Sequence, residues 1–366
     1  MIKKSKKQWL GALLLLGPLY SAHAAVLYTV TDLTPDLEFG FSQAVGINDA
    51  GQVAGNGHNA VGFGAFIAHN GTVNSLSPNF SATGINAGGQ VSGVSGQASL
   101  IYSGGAIIPV NNGLGGSSIT VTGINDSGLV TGVAGTPSNN GHAFIADSHS
   151  VQDLGVLPGG TQSSGYAINN LGQVTGESNT RIVTPSGIIE GSHAFVTENG
   201  LMRDLGTLGG AMSRGNAIND AGIVAGYAAR ADGSLHAFIS SATGLREVGD
   251  LGAWSVASGI NNAGQVVGRF GNASRTQERA FATINGEMTD LNTVIAINSG
   301  WLLLDATDIN NSGYIVGTGV TPSGRIHAFL LTPVAVPLPA AVWLFGSALL
   351  GWTAKWRGKA IVKVLA

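Results

Sequence analysis

The hydrophobic residues of this chain occur in short runs, and turns rich in Gly, Asn and Asp separate one run from the next. Residues 142–145 (HAFI) and 265–268 (QVVG) are typical, and Val, Ile and Phe supply most of the apolar positions. Such residues favour β-strands, whereas an amphipathic helix needs apolar positions repeating at about 3.6 residues. No segment between residues 25 and 333 sustains that helical period. The pattern therefore predicts an all-β body of many short strands.

One turn sequence is repeated seven times in the body. Each copy contains Ile-Asn, a Gly three residues after the Asn, and a second Gly four residues later. The Asn side chain is expected to bond to nearby backbone, and the first Gly to take the left-handed conformation of a hairpin turn. The predicted structural pairs are Asn48 and Gly51, Asn86 and Gly89, Asn125 and Gly128, Asn169 and Gly172, Asn219 and Gly222, Asn261 and Gly264, and Asn310 and Gly313.

Two further signatures accompany the turns. His-Ala-Phe occurs at residues 142–144, 193–195, 236–238 and 327–329, and Asp-Leu recurs further along each unit, as at residues 153–154. Together they divide each unit into four strands, and successive turn Asn residues lie 38 to 50 positions apart. Four strands in about 40–45 residues is the blade unit of a β-propeller. The chain is therefore predicted to form a seven-bladed β-propeller over residues 25–333.

The two ends of the repeat array predict how the ring closes. The seventh unit has three strands and stops at residues 330–333, whereas residues 27–33 (LYTVTDL) resemble a fourth strand that ends in Asp-Leu. Pairing of these two segments would close the ring and leave few free sheet edges. An open β-solenoid is the alternative.

Charge is distributed unevenly along the 366 residues. The body contains nine Arg, no Lys and all twenty acidic residues, which gives it a net charge of −11. Every Lys lies near the N-terminus or near the C-terminus. Such a body repels polyanions, so nucleic acid is excluded as a partner. The chain has no Cys, and its stability must come from core packing without disulfides.

Both termini carry signals for handling at a membrane. Residues 1–24 have a Lys-rich start, an apolar run and the small residues Ala22 and Ala24, which predicts a signal peptide cleaved before Ala25. Residues 334–353 contain no charge and would span about 30 Å as a helix, enough to cross a bilayer. The basic residues 354–366 are then predicted to stay in the cytoplasm.

The three repeated signatures, in fixed order over residues 25–333, resemble those of the HAF family of bacterial extracellular repeat proteins. A second resemblance covers Val336, Pro337, Leu338, Pro339 and Ala340, which are similar to the VPLPA variant of the PEP-CTERM sorting signal. That resemblance implies a Gram-negative source, transient residence in the inner membrane, and processing near these residues by an exosortase-like enzyme. Such signals are associated with exopolysaccharide production, which makes surface polysaccharide a candidate partner.

The repeated polar residues are weak candidates for metal or cofactor binding. His142, His193, His236 and His327 occupy equivalent positions, which in a propeller lie too far apart to share one ion, and a structural role in bonding to a neighbouring turn is expected. Asp49, Asp126 and Asp220 are single acids in turns where Ca²⁺ would need six to eight oxygens. We therefore assign no metal, cofactor or catalytic residues.

The remaining candidates are residues outside the repeated signatures. Asp305 with Asp308, or Asp32 with Asp36, could form the carboxylate pair of a glycosidase. Trp254 and Trp301 are the only tryptophans of the body, and variation on a repeated scaffold is where binding sites are placed. The sequence favours an exported, non-enzymatic binding or structural protein of the cell surface or extracellular matrix. The alternative is a secreted carbohydrate-active or other hydrolytic enzyme on the same scaffold.

Overall fold

The computed structural model describes residues 27–34, 40–59, 62–184 and 187–334. The fold is all-β, with 62% of these described residues in strands and 2% in helix, and the sequence prediction of this class is confirmed. The two helical segments are 3₁₀ turns at Leu291–Thr293 and Ile297–Ser299, which the strand pattern did not predict. Both lie in the connection between the sixth and seventh repeats.

The strands of the described residues form seven groups of four. The first three groups are β2 (Phe41–Ile47), β3 (Val53–Asn59), β4 (Gly62–His69) and β5 (Thr72–Pro78); β6 (Phe80–Ile85), β7 (Val91–Ser95), β8 (Ala98–Ser103) and β9 (Ala106–Val110); and β10 (Ile119–Ile124), β11 (Val130–Gly135), β12 (Gly141–Ala146) and β13 (Val151–Asp153). The next three are β14 (Ser163–Ile168), β15 (Val174–Thr184), β16 (Gly187–Glu198) and β17 (Leu201–Asp204); β18 (Gly209–Ile218), β19 (Val224–Arg230), β20 (Leu235–Ser241) and β21 (Gly244–Glu247); and β22 (Trp254–Ile260), β23 (Val266–Gly271), β24 (Glu278–Ile284) and β25 (Glu287–Asp290). The seventh consists of β26 (Leu302–Ile309), β27 (Ile315–Val320), β28 (Ile326–Val334) and β1 (Leu27–Asp32).

Within each group the strands are antiparallel neighbours, and each of the first six groups follows chain order. Single parallel bridges, Phe41 to Ile326 and Ser192 to Met212, join neighbouring groups into two larger sheets of eight strands. Each first strand carries a register shift just before its Ile-Asn turn, as between Ala44 and Gly46. The bulge tightens the bend of the strand where it approaches the next group.

The seventh group combines the two ends of the array. β1 runs antiparallel to β28 over six residue pairs, from Leu27 opposite Val334 to Asp32 opposite Phe329. Tyr28 is 5% exposed, and its N–H donates to the carbonyl of Val294 at 2.9 Å. β28 thus continues to Val334, one residue beyond the predicted boundary at 333.

The core repeats with the sequence. In six groups the third strand contributes a Phe that is 0% exposed. Each Phe lies opposite the second Gly of the repeat on the adjacent second strand, as Phe281 lies opposite Gly268. A Cβ on Gly268 would collide with the carbonyl oxygen of Val256 and with the Phe281 ring. This Gly is therefore required for close packing, whereas the first Gly is required by its positive φ. The buried Phe residues are Phe66, Phe144, Phe195, Phe238, Phe281 and Phe329.

A recurring hydrogen bond joins adjacent groups in their interior. A buried Ser on the first strand of one group accepts the backbone N–H of the Ala in the third strand of the preceding group. Four such bonds measure 2.8–2.9 Å: Ala143 to Ser163, Ala194 to Ser213, Ala237 to Ser255, and Ala328 to Ser42. The last of these connects the seventh group to the first.

Candidate functional site

The repeated Asn–Gly turns share one conformation. In the first, the Asn48 Oδ1 atom accepts the Gln52 N–H at 2.9 Å, and the Gly51 N–H donates to the Asn48 carbonyl at 3.0 Å. Gly51 has φ +78°, and its six counterparts all have φ between +74° and +81°. Valine or another β-branched residue would be strained in this left-handed region.

The same Asn residues also connect the groups, which the sequence did not predict. Each Asn is at most 6% exposed, and its Nδ2 donates to the backbone carbonyl of the next group's Asn at 2.9–3.1 Å. The donors run Asn48, Asn86, Asn125, Asn169, Asn219, Asn261 and Asn310, and the Asn310 side chain donates to the carbonyl of Asn48. The series therefore closes on itself.

The turns line a cavity of about 210 Å³ at one end of the body. Its acids are engaged in structural bonds: Asp49, Asp126 and Asp220 each accept a backbone N–H from the preceding turn, at 2.7–3.0 Å. Among the described residues, no cluster of three or more His, Cys, Asp or Glu side chains could hold a metal ion. At this end of the body, the acidic side chains therefore serve to hydrogen-bond neighbouring repeats to one another.

Three of the four repeated His residues bond to the aspartate of the Asp-Leu signature, on the fourth strand of the same group. The fourth, His236, is 2% exposed, and its buried Nδ1 atom has no hydrogen-bond partner among the described residues. The Nδ1–Oδ2 distances are 2.9 Å for His142 and Asp153, 2.9 Å for His193 and Asp204, and 2.8 Å for His327 and Asp32. In the sixth group Arg279 replaces the His and lies 3.9 Å from Asp290. The partner is thus a carboxylate on an adjacent strand and not the neighbouring turn that the sequence suggested.

A second cavity, of about 430 Å³, lies at the opposite end of the fifth, sixth and seventh groups. Trp254 begins the first strand of the sixth group, and Arg275 and Glu278 belong to the loop and strand that follow β23, so these three lining residues lie at strand ends remote from the Ile-Asn turns. We call it the arginine pocket. Its chemically distinctive residues are Arg214, Trp254, Arg269, Arg275, Glu278 and Asp305.

Arg214 is held in place by an aromatic stack. Its guanidinium carbon lies 3.5 Å from the ring centroid of Tyr166, whose hydroxyl donates to Glu177 at 2.7 Å. Burial and the Glu177 carboxylate raise the pKa of Tyr166 to about 12, so the hydroxyl remains protonated and continues to donate. The Nε atom of Arg214 is buried and has no hydrogen-bond partner. The guanidinium is therefore fixed at the wall of the pocket with unused donor capacity.

Arg269 and Asp305 form an ion pair across the boundary between the sixth and seventh groups, with 3.0 Å between Nη1 and Oδ2. Burial raises the pKa of Asp305, the nearby Glu278 carboxylate raises it further, and Arg269 opposes both effects. The Asp305 Oδ1 and Arg269 Nε atoms are buried without a hydrogen-bond partner. Buried polar atoms without partners are rare, so this pair retains capacity for a bound molecule.

Arg275 lies in the exposed loop between β23 and β24, 5.4 Å from the ring of Trp254. Trp254 is 7% exposed, and its Nε1–H donates to the Asn272 carbonyl at 2.9 Å. Within the described part of the chain, five of the nine arginines lie within 4.0 Å of a carboxylate, but Arg214 and Arg275 do not. The pocket thus holds two cations that are not neutralised by an ion pair, in a body of strongly negative charge.

Asp305 and Asp308, one of the two acid pairs considered as glycosidase candidates, bond to different partners. The Asp308 oxygens accept the N–H groups of Ile47 and Ile309, both at 2.9 Å, whereas Asp305 bonds to Arg269. Burial raises the pKa of Asp308 to about 6, although both N–H donors act in the other direction. Asp32 bonds to His327, and its suggested partner Asp36 lies outside the described residues.

Trp301, the other tryptophan of the body, packs edge-on against the buried ring of Phe329, with 6.4 Å between ring centroids. It is partly buried in the seventh group and is not among the residues that line the arginine pocket. Of the two tryptophans, only Trp254 therefore lies at the site.

The predicted processing residues lie outside the part of the chain that the structure describes. They are Ala22, Ala24, Ala25, Val336, Pro337, Leu338, Pro339 and Ala340. The predicted membrane helix at 334–353 also lies there, apart from Val334, the last residue of β28. Among the described residues, no helix has the length and apolar character needed to cross a membrane.

Neither a protein family profile nor a curated protein sequence matches the chain. Among solved structures, the extracellular domain of BT4673 from B. thetaiotaomicron is similar, with a TM-score of 0.51 and 11% identity over 86% of this chain and 40% of that one. TolB from Acinetobacter baumannii has a TM-score of 0.42 and 11% identity, over 81% of this chain and 65% of TolB. The gluconolactonase XC5397 from Xanthomonas campestris has a TM-score of 0.42 and 12% identity, over 86% and 93% of the two chains. These neighbours are β-propeller-like proteins, and at such identities the likeness concerns the fold alone.

The arginine pocket could have been found in the sequence by comparing repeats position by position. Arg214 and Asp305 both lie five residues before the turn Asn, where the first four repeats have Gln43, Ser81, Thr120 and Ser164. Arg269 follows the second Gly of its repeat, a position that β-sheet register places opposite Val256 on the first strand. Charged residues at repeat positions that are mostly uncharged elsewhere were the available signal, and of the pocket residues only Trp254 and Asp305 were candidates in the sequence.

Proposed function

We propose that the chain is an exported protein whose seven strand groups are the blades of a seven-bladed β-propeller, and that it acts by binding rather than by catalysis. The closed series of seven Asn hydrogen bonds supports the number of blades, and the pairing of β1 with β28 supports closure through the N-terminal strand. The likeness to the BT4673 domain agrees with this architecture.

The binding role rests on one observation: residues outside the repeat consensus gather in the arginine pocket. Three of the nine arginines of the body line this cavity, and two of them have no carboxylate partner among the described residues. A structural pair such as His142 and Asp153 recurs from repeat to repeat, whereas the pocket residues do not. Departure from a repeated scaffold at one cavity is what a dedicated ligand site requires.

The location follows from the terminal segments. Residues 1–24 direct export, and an exosortase-like enzyme recognises the segment from Val336 to Ala340 while residues 334–353 lie in the inner membrane and 354–366 in the cytoplasm. The body then reaches the cell surface or extracellular matrix, where a polysaccharide is its expected partner. Resemblance to the HAF repeat and to the PEP-CTERM signal supports this assignment.

A hydrolytic role is the second candidate, because Asp305 has a raised pKa and Glu278 lies near enough to contribute to it. A pair of neighbouring acids can serve as the acid and base of a hydrolase. However, the ion pair with Arg269 occupies one oxygen of Asp305, which leaves Glu278 as the one acid without an ion pair that lines this pocket among the described residues. The binding role is therefore the better supported one.

The test separates binding from turnover. The purified full-length chain is incubated with washed exopolysaccharide from the producing bacterium, and both co-sedimentation and release of reducing ends are measured. We expect co-sedimentation without new reducing ends, reduced by Arg275→Ala and unchanged by Arg325→Ala. Arg325 is a matched control, because it is an exposed arginine in the equivalent loop of the seventh group. Reducing ends that appear with the wild type and disappear with Asp305→Asn would establish a hydrolase instead, and absence of co-sedimentation would refute the binding role.

A further inference from the structure

The arginine pocket combines two kinds of group that a single ligand must satisfy. Arg214 and Arg275 are cations without a carboxylate partner among the described residues, whereas Glu278 and the buried Oδ1 atom of Asp305 accept no hydrogen bond from any of these residues. Guanidinium groups bind carboxylates through strong charge-assisted hydrogen bonds. Ionised carboxylates can only accept, so they need a ligand that brings its own donors.

These requirements exclude the simplest ligands. An inorganic anion such as sulfate could bind the arginines, but it has no proton to offer Asp305 or Glu278 and would be repelled by them. A neutral sugar could donate to the acids, but it would leave both cations unpaired. A molecule that carries a carboxylate beside several hydroxyl groups satisfies both sets.

The volume and the remaining wall agree with a ligand of this kind. A cavity of about 430 Å³ has room for one or two sugar rings, and Tyr227, Leu235 and Val256 provide an apolar side. Arg214 is already fixed on Tyr166, so little side-chain freedom is lost when it binds an anion. Arg275, on the exposed loop, also lines the cavity.

We propose that the arginine pocket binds a hydroxylated organic acid of the uronic-acid class, with its carboxylate on Arg214 and Arg275 and its hydroxyl groups donating to Asp305 and Glu278. This assignment rests on the proposed binding function and specifies its ligand. It places the anionic residues of an acidic polysaccharide, rather than its neutral sugars, at the site. Binding is therefore expected to weaken as ionic strength rises.

Titration calorimetry on the full-length chain tests the assignment with defined probes: trigalacturonate, the neutral galactose trimer, sodium sulfate and glutamate. We expect trigalacturonate to bind and the neutral trimer and sulfate not to bind measurably. Arg275→Ala should weaken the affinity about tenfold, the effect of losing one charge-assisted contact, and Arg325→Ala should leave it unchanged. Arg275 is exposed, so its replacement does not endanger folding.

Three results would overturn the ligand class. If the neutral trimer binds as tightly as trigalacturonate, the pocket does not recognise the carboxylate. If sulfate binds as tightly, the pocket is a simple anion site. If glutamate is preferred, the pocket is an amino-acid site. If no probe binds while Arg275-dependent co-sedimentation with exopolysaccharide persists, the ligand class fails and the binding function stands. If trigalacturonate binds and is also cleaved, the ligand class stands and the non-enzymatic function fails.

Discussion

Asn310 is the residue at which the series of inter-group hydrogen bonds closes. Its Nδ2 donates to the Asn48 carbonyl at 3.1 Å, and its Oδ1 accepts the N–H groups of Ser312 and Tyr314 at 3.1 and 3.0 Å. The Nδ2 bond joins residues 262 positions apart. Replacing this side chain therefore tests whether the seventh group meets the first in solution.

Asn219 provides a matched control in the middle of the series. Its Nδ2 donates to the Asn261 carbonyl at 3.1 Å, and its Oδ1 accepts the N–H groups of Ala221 and Ile223 at 3.1 and 3.0 Å. It is 4% exposed, against 5% for Asn310. The two side chains thus make the same three bonds at the same depth.

Each alanine variant removes three hydrogen bonds that are worth about 1 kcal/mol each, so both should lower the free energy of unfolding by about 3 kcal/mol. In a body whose seventh and first groups are apart in solution, Asn310→Ala would remove only two bonds and cost about 2 kcal/mol. Urea unfolding of the full-length chain, followed by tryptophan fluorescence, measures the difference. Equal losses support the closed ring, and a smaller loss for Asn310→Ala, by about one hydrogen bond, would refute it.

Two further predictions concern single positions. Because burial raises the pKa of Asp308 from 3.8 to about 6, the folded state holds this proton more tightly than the unfolded state, and stability should fall as the pH rises through that interval. Asp308→Asn should therefore be more stable than the wild type at pH 8, by at most about 3 kcal/mol. Thermal unfolding measures the difference in stability between the two proteins, which should become smaller towards pH 4. A difference that does not depend on pH would contradict this. At Gly264, φ is +77° and no atom lies within 4 Å of an added Cβ, so Gly264→Ala should cost only the backbone strain of about 1 kcal/mol. Gly268→Ala should cost at least twice as much in urea unfolding, because its Cβ meets the Val256 carbonyl, and the reverse order would show that the two repeated glycines have been assigned the wrong roles.

The sequence was sufficient for features that depend on local chemistry. The turn at Asn48 and Gly51 follows from an Asn side chain that bonds to its own backbone and a Gly free to adopt positive φ, and seven copies make the pattern unmistakable. The fourth strand of the seventh group could also be predicted from the sequence, since residues 27–33 end in the same Asp-Leu as other fourth strands.

Features that depend on strand register or on contacts between repeats were less accessible. The partner of His142 is Asp153, and although the spacing of eleven residues recurs between His193 and Asp204, the pairing became evident only from strand register. The arginine pocket draws on three repeats, so no local window contains it. The Nδ2 bonds of the turn Asn residues were missed for the same reason.

The pairing of β1 with β28 has a consequence for the order of assembly. β1 is among the first strands of the body to be synthesised, yet its partner β28 is the last, and the bond between His327 and Asp32 spans 295 positions. Until the final strand emerges, Leu27–Asp32 has no partner and presents a free apolar edge to other chains. The nascent chain thus passes through a stage in which its first strand must be shielded, and a holdase chaperone that binds this segment would raise the yield of the folded protein without affecting its final stability.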